Sequence, residues 1–149
     1  MTANTTQRAD GPIPLSVLDL VPIPSGSTAR QAIANTIELA QRTEAAGYKR
    51  YWLAEHHLNP GVAGTTPALI IALIANATRT LRVGSGAVLM GHHTPLAVVE
   101  QFGILDAVHP GRIDLGLGRS GLKRMTQRAS GAPATTPEAA APPTARRAT

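Results

Sequence analysis

Three short stretches concentrate the side chains that could do chemistry. Glu55-His56-His57 offers a carboxylate and two imidazoles, His92-His93 two more imidazoles, and Gly118-Arg119-Ser120 a guanidinium between small residues. An imidazole titrates near neutrality, so His56 can act as a general acid or base; it can equally be a polar loop histidine held by the backbone. His57 reads as structural or solvent-facing. His92 and His93 suit either pocket lining or plain loop. Glycines let backbone N–H groups approach an anion, and Arg119 beside them can fork onto phosphate oxygens. Imidazole and carboxylate also suit zinc or iron. Adjacent histidines on extended chain point in different directions, however, and no HExxH-type ligand spacing occurs, so no metal site is expected.

Two glycine-rich stretches need weighing. Gly116-Leu117-Gly118-Arg119-Ser120-Gly121 matches GxGxxG literally. The dinucleotide fingerprint also needs a following helix, a second strand and an acid about 20 residues on. Glu138 stands at a tolerable distance but in a Pro/Ala-rich stretch with no strand before it, so that reading is rejected. Gly84-Ser85-Gly86-Ala87 interrupts an otherwise apolar strand. Glycine there marks a bulge, a crowded packing site or close approach by a ligand such as a flat ring.

These residues must be positioned by the elements around them. Leu15–Val21 is a short apolar run between prolines and predicts a buried strand. Thr28 and Gln31 form a capping-box pattern opening a helix that presents Ile33, Ile37 and Ala40, with Gly47 as its stop. Tyr48–Glu55 is a second strand, favoured by its aromatic residues. Thr66-Pro67 opens a helix that is apolar nearly all round, hence buried on most sides. Leu81–Met90 is a third strand. Thr94-Pro95 opens a helix by the same device, with Val98, Phe102 and Leu105 on one face. Ile113–Leu117 is a fourth strand. Near-continuously apolar strands alternating with helices call for parallel pairing and right-handed crossovers. In such α/β folds sites form at the carboxyl ends of the strands, where all three reactive stretches fall. Four units are half of an eightfold β/α barrel, which needs roughly 250 residues; a small open doubly wound sheet is the alternative.

Composition bounds the function. The chain has 149 residues and no cysteine, excluding disulfides, thiolate metal sites and a thiol nucleophile. Tyr48, Tyr51, Trp52 and Phe102 are its four aromatic residues, too few for a nucleic-acid stacking platform. Residues 1–118 carry eight basic and eight acidic side chains, so the whole net charge of +5 lies in residues 119–149. A basic tail of this kind reads as a solvated end, and no nucleic-acid partner is expected. The longest apolar run, Ala68–Ala75, has eight residues, far short of a membrane span. The polar opening lacks the order of a signal peptide, so the expected place is the cytoplasm. The expected organisation is a disordered lead over residues 1–12, one α/β domain over residues 13–121, and a disordered Ala/Pro-rich tail over residues 122–149.

With these residues in hand, the chain resembles the N-terminal half of the bacterial luciferase-like, flavin-dependent monooxygenases. The resemblance rests on RYWLAEHH, LRVGSGAVLM and TPLAVVEQFGILDAVHPGRIDLGLGRSG at their separations, and covers about residues 13–121. It implies the first four units of a (β/α)8 barrel and a site for reduced FMN, or in some relatives the deazaflavin F420. It further implies O2 and a small organic molecule as substrates, with a flavin reductase as a partner. His56 falls at the family's catalytic histidine, with Glu55 orienting it or its neighbour. Gly86–Ala87 falls where many members have a non-proline cis peptide behind the flavin ring. Ser85, Gly86, Ala87, Gly118, Arg119 and Ser120 are the implied cofactor contacts, Arg119 at a phosphate position. Gly91 departs from the family, which commonly has proline there, and strands 5–8 are absent. The expectation is a truncated member whose exposed strand edges could pair in a homodimer. A non-catalytic remnant, acting as a flavin-binding or interaction module, is the second reading, and a metal-dependent hydrolase the third.

Overall fold

The computed structural model describes residues 13–119. Over that span β1 (Ser16–Asp19), α1 (Ala29–Ala45), β2 (Arg50–Leu53), α2 (Pro67–Ala77), β3 (Arg82–Leu89), α3 (Pro95–Val108) and β4 (Ile113–Gly118) alternate. The strands form one sheet in the order β1-β2-β3-β4, and every pairing is parallel. This is the expected arc of a β/α barrel. The expected lead, the tail, Ser120 and Gly121 lie outside the described residues.

Strand pleating sorts the side chains between two faces. Val17, Tyr51, Val83 and Ile113 stand in register on one face, where Tyr51 and Val83 are wholly buried. Ala32 and Ala40 of α1, Ile71 and Ile74 of α2, and Val98 and Phe102 of α3 join them in a single core, so all three helices cover this face. Leu18, Trp52, Gly84 and Asp114 form the next row and point to the opposite, open face, where Leu18 stays exposed. Asp114 there ties Arg50 at 3.1 Å and also Arg82, whose guanidinium holds its carboxyl below the ordinary range. Among the described residues, no helix is long and apolar enough to cross a membrane.

Local signals explain most boundaries. Thr28 caps α1 by accepting the Gln31 N–H at 3.2 Å, and Gly47 ends it at φ +79°. Thr94 caps α3 in the same way through Ala97, whereas Thr66 makes no side-chain cap bond, so the two Thr-Pro openings differ. The face of α1 is rotated from the one read in sequence. Ala32, Thr36, Ala40 and Thr43 are buried, while Ile33 and Ile37 are only partly covered. The cause is Asp19, a buried carboxylate that draws Thr36 inward: its Oδ2 accepts from the Thr36 and Tyr51 hydroxyls, each at 2.6 Å, and its Oδ1 from the Val21 N–H. Burial and the neighbouring Asp19 carboxylate push the Tyr51 hydroxyl pKa up, so it stays a donor. On α2, Leu69 is 68% and Leu73 47% exposed, so that helix is less enclosed than its composition implies.

Candidate active site

Parallel pairing settles the first question about the site. Residues 54–66 leave β2, residues 90–94 leave β3, and Arg119 follows β4, so all three reactive stretches emerge at the same end of the sheet.

Glu55 follows β2 immediately and is only 3% exposed. A carboxylate so placed needs donors. Its Oε1 lies 2.5 Å from His57 Nε2 and 2.8 Å from His93 Nε2, and its Oε2 accepts the Leu89 N–H at 3.0 Å. Burial pushes the carboxyl upward, but bonds from His57, Leu89 and His93 outweigh that and hold it below the ordinary range. Both imidazoles must carry a proton on Nε2 to donate to it. His92 packs against His57 with ring centroids 4.4 Å apart, and its Nε2 is buried without a partner among the described residues.

Glu55 therefore orients His57, the neighbour of His56, and reaches across to the β3 exit. His57 is a half-buried member of a cluster rather than solvent-facing, and His93 lines the same cluster. The missed signal was parity: residues two apart on extended chain share a side, so Glu55 and His57 converge while His56 diverges. His56 is exposed, and its backbone N–H is held by Gly64 O at 2.8 Å. Among the described residues its ring makes no hydrogen bond, which leaves it open to a substrate.

The glycines of β3 divide into two kinds. A Cβ on Gly84 would stand 2.6 Å from Asp114 O and 2.8 Å from Trp52 Cζ3, so packing alone demands glycine there. A Cβ on Gly86 would meet nothing closer than Trp52 Cβ at 3.4 Å, and Gly86 faces the open side. Between Ser85 and Val88 the strand carries one more residue than β4 does between Leu115 and Leu117, which is a bulge. The Gly86–Ala87 peptide within it is cis, as the resemblance implies. Ser85 is wholly buried, and its hydroxyl both donates to Gly116 O and accepts from Gly116 N, each at 3.0 Å. That hydroxyl bridges the two strands.

Arg119 is exposed at the end of β4. Together with Gly118, Leu117, Met90 and Gly91 it lines an open concavity of about 600 Å³. Arg119 beside Gly118 suits an anionic group in that concavity, while the bare Gly86 and the His56 ring lie outside its lining.

The comparisons with known proteins bear on the family and the fold. The model of the family "Luciferase-like monooxygenase" matches residues 13–142. A luciferase-like monooxygenase of Escherichia coli (strain K12) is 50% identical over 111 residues, covering 74% of this chain and 33% of that protein. The structure of apo-MsnO8 superposes with a TM-score of 0.71 at 44% identity, over 72% of this chain and 32% of that one. The FMN complex of the oxygenating constituent of 3,6-diketocamphane monooxygenase from Pseudomonas putida has the same fold, with a TM-score of 0.71 at 22% identity, over 78% of this chain and 32% of that one. The chain spans about a third of the length of the curated relatives it matches.

Proposed function

Since the chain belongs to the luciferase-like monooxygenase family, we propose that it is the flavin-holding portion of a cytoplasmic FMN-dependent monooxygenase acting on a small organic molecule. The single observation that carries this reading is that the bare Gly86, the unobstructed His56 and the exposed Arg119 belong to three neighbouring parallel strands and their exits on one side of the sheet. An FMN-bound neighbour of the same fold supports it.

Gly86 and Ala87 would back the flavin ring, and Gly118 and Arg119 would hold the phosphate, with the guanidinium supplying charge-assisted hydrogen bonds. Reduced flavin, when bound, supplies two electrons to O2, so that one oxygen atom enters the substrate and the other leaves as water. His56 would hold or return a proton at the reacting oxygen. Glu55 is a positioning residue, since it touches His57 and His93 rather than the open face. A flavin reductase would deliver the reduced cofactor. Among the described residues β1 and β4 each have one neighbour in the sheet, and Leu117 on β4 is 59% exposed. A second copy pairing along these edges would enclose the open face and exclude water.

The test is anaerobic titration of the full chain with reduced FMN while its mass is followed by light scattering. Saturable binding by a dimer, followed by substrate oxidation on admitting O2, is the expected result. Saturable binding with no turnover would mark a flavin-binding module. Absence of binding at any oligomeric state would overturn the reading.

A further inference from the structure

The Glu55, His57 and His93 cluster does more than brace two loops: we infer that it is a site for one transition-metal dication of the zinc type. Its ligand atoms, a carboxylate oxygen and two imidazole nitrogens, all lie within 4.8 Å of one another, and Glu55 is buried. Two imidazoles and one carboxylate form a recurrent donor set for zinc, cobalt and ferrous iron. It is a poor one for magnesium or calcium, which take mostly oxygen.

The distances are compatible with exchange of protons for a cation. Glu55 Oε1 now sits at hydrogen-bond distance from both Nε2 atoms, 2.5 and 2.8 Å. Bonds of about 2.0–2.2 Å to a tetrahedral ion place ligand atoms roughly 3.4 Å apart, so each separation must open by less than about 1 Å. His57 and His93 are carried by loops and keep 24% and 18% of their side-chain surface, which leaves room for that movement and an entry path. The Leu89 N–H on Oε2 fixes the carboxylate from behind, the type of outer contact that orients a metal ligand.

A second observation comes from His92. Among the described residues its Nε2 is buried with no partner, beside the His57 ring. Three protein ligands leave a fourth position on a tetrahedral ion, normally taken by water. The His92 ring packs on a ligand of that ion, and its nitrogen would be a hydrogen-bond partner for such a water. The ion would tie the exit of β2 to that of β3 more firmly than hydrogen bonds do. This inference is independent of flavin binding, because neither His56 nor Arg119 takes part in it.

The experiment is titration of the untagged full chain with ZnCl2 by calorimetry. CoCl2 serves as a spectroscopic probe and MgCl2 as the contrast. One zinc per chain, a tetrahedral cobalt absorption band without thiolate character and a melting temperature that rises with zinc are expected. Glu55→Gln, His57→Ala and His93→Ala should each weaken zinc by more than about 100-fold, exceeding the loss typical of an outer-sphere change. His109→Ala, at the far end of α3, should not. Because Glu55 is buried, the two histidine variants decide the matter if Glu55→Gln fails to fold. No binding, or binding that survives both histidine substitutions, overturns the proposal.

Discussion

Glu55 and His93, 38 residues apart in sequence, meet at 2.8 Å and join the exits of two neighbouring strands. The Leu89 N–H reaches the same carboxylate through that convergence, whereas His57, two residues on, reaches it locally. Glu55→Ala would orphan the Leu89 N–H and both imidazoles. An expected loss of about 1–3 kcal/mol, the cost of a buried group left unsatisfied, should appear in urea unfolding. His93→Ala should cost less, because that side chain is partly exposed and Glu55 keeps two other donors.

Arg119 and His56 should separate binding from chemistry. Arg119→Ala should weaken reduced FMN by about 1.5–3 kcal/mol, the range for a hydrogen bond to a charged group. His56→Ala should leave binding largely intact and reduce turnover. Anaerobic fluorescence titration and oxygen consumption read the two effects. FMN binding unchanged in Arg119→Ala would remove Arg119 from the phosphate site.

Glu44 predicts an acid limit to stability. Burial pushes its carboxyl upward, but the N–H groups of Thr80, Leu81 and Arg79 overcome this and hold it at about 2. Because the folded value lies below the unfolded one, of about 4.3, its contribution is present at neutral pH and fades as pH falls from about 5 towards 2. Glu44→Gln should cost about 1.5–3 kcal/mol at pH 7 and almost nothing at pH 2. Melting curves of both proteins across that range should converge at the acid end.

Gly84 and Gly103 should respond oppositely to alanine. At Gly84 the new methyl meets Asp114 backbone at 2.6 Å, and overpacking against a rigid strand costs about 1–3 kcal/mol. At Gly103, inside α3, it meets nothing within 4 Å. Gly103→Ala should therefore stabilise by about 0.5–1 kcal/mol through helix propensity. Thermal unfolding of the two variants checks both signs.

Local chemistry was enough to determine the order and type of elements. The apolar runs around Val17, Tyr51, Val83 and Leu115, the Thr28 and Thr94 caps, and Gly47 all act within a few residues, so their effects are written in consecutive positions. The inward stripe Val98, Phe102 and Leu105 on α3 was legible for the same reason. Tertiary structure decided which side chains face each other. Thr36 displaced Ile33 and Ile37 from the buried stripe of α1 because Asp19, 17 residues earlier, needed a donor. Ser85 became a strand bridge because Gly116 stands opposite it across the bulge. His93 and the Leu89 N–H joined Glu55 because parallel pairing brings the ends of β2 and β3 side by side. A hydrogen bond or a ligand set depends on separation in space, and sequence spacing reports that only within a single helix, strand or turn.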